Sequence, residues 1–132
     1  MPTEVERQVV HVPPETAHVA TVRAFVGAIG RHVGCGDETI EDLRLAATEA
    51  CAQALEEGVA PNGIELRTWV DDGRLVLEIE PCGSFEVAAD GADAVSGRGT
   101  RRMLIEGLFP DAAFELREGR NVLRISAPTS SS

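Results

Sequence analysis

The chain has 132 residues, enough for one domain with a single core that needs no metal or disulfide staple, and its 43% hydrophobic and 26% charged content is that of an ordinary globular protein. All twelve basic residues are Arg, with no Lys and no Tyr, which closes the chemistries that need an amine, namely a Walker-type phosphate loop and Schiff-base or pyridoxal catalysis. A net charge of -10 opposes direct binding of nucleic acid or of an anionic membrane and leaves two readings, a solubilising surface or a basic partner.

A short extended segment, RQVVHV at residues 7–12, precedes Pro13 and Pro14, which can neither continue a strand nor sit inside a helix. From Glu15 to about Val33, Val19, Val22, Phe25, Val26, Ile29 and Val33 recur at intervals of three and four, which predicts one amphipathic helix. GCGDET then supplies a glycine stop, a cap and first-turn acids for a second helix over about 38–57. Its Ile40, Leu43, Ala47, Ala50 and Ala54 form a stripe of mostly small residues that lets a neighbour approach closely. IELRTWV and RLVLEIE both alternate around the turn Asp71-Asp72-Gly73, a hairpin whose apolar face carries Ile64, Leu66, Val70, Leu75, Leu77 and Ile79.

Pro81 closes that hairpin, and the Gly- and Ala-rich stretch CGSFEVAADGADAVSGRG is a connection of the length that is usually functional or mobile. A third helix starts near Gly99, carries Met103, Leu104, Ile105 and Leu108, and ends before Pro110. AFELR and NVLRIS form a last hairpin through Glu118-Gly119-Arg120, and the tail APTSSS has nothing to pack against. The order predicts an α+β, two-layer sandwich: a mainly antiparallel mixed sheet with helices on one face, one domain over residues 1–127 and a disordered tail over 128–132.

Cys35, Cys51 and Cys82 are odd in number with no C-x-x-C spacing, and His11, His18 and His32 do not cluster with them, which argues against zinc. Cys51 reads as core and Cys35 as a free loop thiol. No apolar run approaches the roughly 18 to 20 residues that cross a bilayer, so a cytoplasmic protein is expected.

Two places can carry chemistry. Glu49 and Gln53 lie four apart on the second helix, on a ridge with Asp42 and Ala46 that is distinct from the apolar stripe; a solvated helix face accounts for the spacing equally well. In SGRGTRR, Gly97 and Gly99 flank Arg98 ahead of a helix, so backbone N–H groups, the positive helix end and Arg98, Arg101 and Arg102 suit a phosphate. A loop leading into a helix is the plainer account.

With the order of elements, TEACAQAL and SGRGTRRMLIEGLFPDAAFEL make the chain resemble, over nearly its whole length, the anti-sigma-factor serine kinases of the GHKL, or Bergerat-fold, ATPase superfamily. The first looks like the family's Glu-Ala-Cys-x-Asn-Ala box, the second like its Gly-Arg-Gly-Leu segment with the helix and strand that follow. The resemblance implies that Glu49 stands at the catalytic carboxylate, which positions or deprotonates the attacking hydroxyl or water near the terminal phosphate of ATP. It puts Gln53 at the Asn that ligates magnesium, and Gly97, Arg98, Gly99 and Thr100 in the phosphate-covering lid. EPCGSF matches the Asp-x-Gly-x-Gly-Phe motif, with Glu80 for the adenine-binding Asp, Cys82 and Ser84 for the glycines, and Gly83 between them at the cofactor.

The departures from the family pattern have physical consequences. Gln53 carries its amide oxygen about 1.5 Å further out, whereas magnesium takes near-ideal octahedral distances of about 2.0–2.1 Å. Cys82 and Ser84 add a Cβ where glycine admits a ligand, Glu80 lengthens its acceptor, and alternation turns Glu80 away from Leu75, Leu77 and Ile79 unless the strand bends at Pro81. Weakened binding of ATP and magnesium is expected. For function, the resemblance implies an anti-sigma factor that sequesters an alternative sigma factor, yields it to an anti-anti-sigma protein of the STAS type, and pairs as a homodimer. The alternative is an active ATP-dependent serine kinase that phosphorylates that anti-anti-sigma partner, with Glu49 as base. An ATPase domain of a sensor kinase is disfavoured, since no phospho-acceptor helix pair accompanies it.

Overall fold

In the computed structural model, residues 7–82 and 98–129 are described. They form strand β1 (Gln8–Val12), helices α1 (Val19–His32) and α2 (Asp37–Glu57), the hairpin of β2 (Ile64–Asp71) and β3 (Arg74–Pro81), helix α3 (Arg98–Leu108), and the hairpin of β4 (Ala113–Arg117) and β5 (Arg120–Pro128). Glu15, behind the two prolines, is still extended at φ -134° and ψ 141°, and a 3-10 turn over Thr16–His18 precedes α1, so the first helix starts later than its periodicity predicts. Helix α2 has Asp37 and Glu38 in its first turn, where the helix dipole favours acids. It stops at Gly58, left-handed at φ 69°, with the Val59 N–H donating back to the Ala54 carbonyl at 3.2 Å.

The sheet runs β1-β2-β3-β5-β4, and every described pairing is antiparallel, so no parallel component appears among the described strands. Both hairpins turn through two left-handed residues, Asp72 and Gly73 (φ 56° and 75°) and Glu118 and Gly119 (φ 50° and 83°), the turn whose twist matches that of paired strands. Register then places Ile64, Leu66, Leu75, Leu77, Ile79, Leu123, Ile125 and Ala127 on one face, all buried in the single core cluster beneath the helices. Ala46, Ala47, Cys51 and Ala54 of α2 pack onto them, and Ile105 and Phe109 bring α3 to the same core. Gly30 lets α1 approach α2: a Cβ there would lie 2.9 Å from Ile40 Cγ1.

The carboxyl end departs from expectation. Ala127 and Pro128 continue β5 opposite Leu75 and Arg74, and Thr129 donates its N–H and its hydroxyl to the Gly73 carbonyl at 3.1 and 2.9 Å. The predicted fraying is therefore corrected up to Thr129: Ala127 is small enough to fit the core face, and the first hairpin's turn offers an acceptor at the right height. Residues 130–132 lie outside the described residues. Cys35 is a free thiol in the connection between α1 and α2, as expected, but it is buried in the core, and burial pushes its thiol up.

Candidate functional site

Helix α2 buries its small-residue stripe on the sheet and turns its other flank toward the start of α3. Glu49 and Gln53 stand on that flank. The Glu49 side chain is 27% exposed, and its Oε1 forms an ion pair with the Arg101 Nε at 3.0 Å. The same guanidinium forks onto Glu56 two turns further along α2, with its terminal N–H groups donating to Oε1 and Oε2 at 2.8 and 3.0 Å. The hydrogen bond from Arg101 holds the Glu56 carboxyl below its ordinary value. Gln53 donates its amide N–H to Glu57 at 3.1 Å, which directs the nitrogen along the helix and leaves the amide oxygen as the end able to meet a cation.

Arg98, Gly99 and Thr100 form the first turn of α3, so the expected lid residues at these positions belong to the helix itself rather than to a loop ahead of it. The first backbone N–H groups of a helix lack an intrahelical acceptor, which keeps this turn suited to an anion. Gly83 and Gly97, also candidate contacts, lie outside the described residues. The structure thus brings Glu49, Gln53 and the first turn of α3 to one edge of the helical layer.

Glu80 is elsewhere. Strand β3 does not bend at Pro81: Glu80 stays opposite Glu65 and Pro81 opposite Ile64, so Pro81 occupies the core-side register position and Glu80 the open side. There the Glu80 carboxylate accepts from Arg67 at 2.9 Å and pairs with Arg120 at 2.9 Å. The alternation read from the sequence holds: Glu80 faces away from Leu75, Leu77 and Ile79, and the sheet lies between it and Glu49. Glu80 joins a charged layer on the face away from the described helices, with Glu65, Arg67, Glu78, Glu115, Arg117 and Arg124. Cys82 follows at the strand end, its N–H donating to the Gly63 carbonyl at 2.7 Å. Burial, then the charges of Glu65 and Glu80, push its thiol up.

ATP and magnesium fit one end of this arrangement. At the phosphate end, a carboxylate, a carboxamide and a helix amino terminus converge, and Glu49 and Gln53 are the residues that would hold the metal and reacting groups. At the base end, the described residues of β3 offer the helix side a proline in place of an acceptor. A cavity of about 230 Å³ does occur, but between the end of α1 and the sheet, lined by Ile29, His32, Val33 and Trp69 among others. It includes none of the candidate residues, and its mostly hydrocarbon lining is that of incomplete packing between a helix end and a sheet edge.

Two features were missed in the sequence. The Arg101 clamp had a faint signal in Glu49 and Glu56, seven apart and therefore on one face of α2. The charged layer had a stronger one, in Glu65 and Arg67 alternating on one strand of the hairpin and Glu78 and Glu80 on the other.

The sequence pattern of the histidine kinase-like ATPase domain matches residues 12–127. Among solved structures, the chain is similar to the RsbU and RsbW domains of Rv1364c from Mycobacterium tuberculosis, with a TM-score of 0.73 and 18% identity. The likeness covers 99% of this chain and 34% of that one, so this chain spans about a third of the length of the protein it resembles. At that identity the likeness is one of fold. No curated protein matches the sequence.

Proposed function

Because the chain belongs to the histidine kinase-like ATPase domain family, we propose that it acts as an anti-sigma-factor-like regulator that sequesters an alternative sigma factor and binds ATP and magnesium weakly. The observation that carries this reading is the split site. Glu49 and Gln53 keep the phosphate end at the edge between α2 and α3, while Glu80 is tied by Arg67 and Arg120 into the opposite face of the sheet. A fold that retains its surface and loses half of its nucleotide contacts is suited to binding a protein. The similar structure contains an RsbW domain, the kind of domain to which the TEACAQAL and SGRGTRR segments also point. The net charge of -10 favours a partner that is basic because it must meet DNA or polymerase. The regulator works as a homodimer in the cytoplasm and is countered by a STAS-type anti-anti-sigma protein.

The test is retention of sigma subunits. The purified chain, immobilised and offered each sigma factor of its host in turn, retains one alternative sigma factor and releases it when the cognate STAS-type protein is added; retention of none would overturn the reading. A second reading is favoured by the partly exposed Glu49 carboxylate beside the first turn of α3: an active serine kinase. When bound, ATP supplies the phosphoryl group. Glu49 then accepts or orients the proton of the attacking serine hydroxyl. Incubation of the chain with Mg·ATP and the STAS-type protein decides it, since a kinase yields phosphoserine that Glu49→Gln abolishes and a binding module yields none.

A further inference from the structure

We propose that Arg101 is a positioning residue for Glu49: a two-point latch, anchored on Glu56, that docks α3 on α2 and withholds the Glu49 carboxylate until it lets go. The proposal rests on the reading that Glu49 serves a nucleotide site. It comes from the way one guanidinium divides its donors. The two terminal nitrogens make a parallel fork onto both oxygens of Glu56, at 2.8 and 3.0 Å, while Nε reaches Glu49 at 3.0 Å. A fork of this kind is the strongest and most directional contact an arginine makes with a carboxylate. The Nε contact uses a different edge of the group, so it can open while the fork stays closed. Glu56 is therefore the anchor and Glu49 the contact that switches.

The position of Arg101 gives the contact leverage. It lies one turn into α3, a helix that buries Ile105 in the core but leaves Met103 71% exposed. Arg102, the next residue, stays on its own side, donating to Glu106 at 3.2 Å and stacking over Phe114 at 4.1 Å. Of these two arginines, Arg101 is the one that crosses to α2. With its Oε1 committed to Arg101, Glu49 has fewer lone pairs free to take a proton or to meet a metal-bound phosphate, and freeing them means moving the guanidinium.

Amide hydrogen exchange of the whole chain without nucleotide reads the latch itself. Arg101→Ala and Glu56→Ala speed exchange of the 101–108 amides roughly three- to ten-fold, the effect of removing a forked ion pair from a locally opening helix, whereas Glu49→Ala, which leaves the fork, changes it less than about two-fold. Calorimetry with Mg·AMP-PNP supplies a readout that a merely structural role would not move in the same direction. Arg101→Ala binds the analogue at least about three-fold more tightly than the parent, because nothing competes for Glu49, and Arg101→Lys, which keeps the charge without the fork, lies between them. Unchanged exchange in Arg101→Ala overturns the latch whatever the calorimetry shows. Faster exchange with weaker nucleotide binding overturns it as well, since the arginine would then serve the nucleotide. If no variant and no parent protein binds the analogue, the nucleotide-site reading is what fails, and exchange alone decides whether Arg101 docks α3.

Discussion

Replacing Glu78 with Gln should destabilise the protein by about 3 kcal/mol at neutral pH and flatten its response to acid. Glu78 lies on β3, on the face that none of the described helices covers, yet only 3% of its surface is exposed. Its Oε1 accepts from Arg67 at 3.1 Å, and its Oε2 accepts from Arg117 at 2.8 Å and from two nitrogens of Arg124 at 3.1 and 2.9 Å. Burial pushes the carboxyl up, but the hydrogen bonds from Arg117, Arg124 and Arg67 outweigh it and bring the group down to about 2 from its ordinary 4.5. The folded value lies below the unfolded one, so the stabilisation is complete above the unfolded value and is lost as pH falls toward 2. Converted at about 1.4 kcal/mol per pH unit, that difference is about 3 kcal/mol. Urea unfolding of parent and Glu78→Gln between pH 7 and pH 2.5 measures it. Other carboxyls titrate in both proteins, so the gap between them isolates Glu78: about 3 kcal/mol at pH 7, closing steadily below about pH 4.5. A gap that stays constant with pH, or one under about 1 kcal/mol at pH 7, would refute the idea that three arginines hold this carboxylate ionised.

Gln53→Asn shortens the amide that faces the candidate metal position and should raise affinity for Mg·AMP-PNP at least about three-fold by calorimetry; no change would mean that the extra methylene is not the obstacle. Gly30→Ala drives a methyl to 2.9 Å from Ile40 Cγ1 and should destabilise by about 1–3 kcal/mol in urea titrations; a loss under about 0.5 kcal/mol would contradict the close approach of α1 to α2. The Cys51 thiol, fully buried and pushed up to about 12 by burial, should resist Ellman's reagent at pH 8 until the protein unfolds, while the half-buried Cys82 reacts first. Equal rates for the two thiols would contradict the placement of Cys51 in the core.

Most of the fold was legible because its signals are local. Period-two alternation in IELRTWV and RLVLEIE selected the buried face residue by residue, and the two turns ending in glycine fixed the hairpin registers. The same rule indicated that Glu80 faces away from Leu75, Leu77 and Ile79, and the structure keeps that alternation through Pro81. What stayed hidden depends on tertiary placement. Arg101 meets Glu49 and Glu56 only because α3 folds back onto α2; their seven-residue spacing puts the two carboxylates on one face of α2 but does not say which residue approaches that face. The pairing of Thr129 with Gly73 was hidden for a similar reason, since the acceptor belongs to a turn at the far end of another hairpin.

Glu80 cannot be recruited to the helix side by a ligand, and this sets the form of any restored nucleotide site. Bringing its side chain across requires a one-residue slip of β3, which would turn Leu75, Leu77 and Ile79, each now 2% exposed or less, toward the open face. At about 1.5–3 kcal/mol for each large aliphatic side chain uncovered, and with the ion pairs to Arg67 and Arg120 broken as well, the slip exceeds what the gain of one base contact can offset. A carboxylate on the helix side has to come from the neighbouring position. Pro81 stands opposite Ile64, on the core side of the register, at the end of the strand where exposure returns. Two substitutions therefore separate geometry from motif. Glu80→Asp restores the letter of the family motif on the wrong face and should leave affinity for Mg·AMP-PNP unchanged while weakening the contacts to Arg67 and Arg120. Pro81→Asp places an acceptor on the face that α2 overlies and should raise affinity by a measurable factor, about three-fold or more, the size of one net hydrogen bond. Tighter binding by Glu80→Asp with none by Pro81→Asp would show that β3 bends in solution and that the open-face position of Glu80 is not its working one.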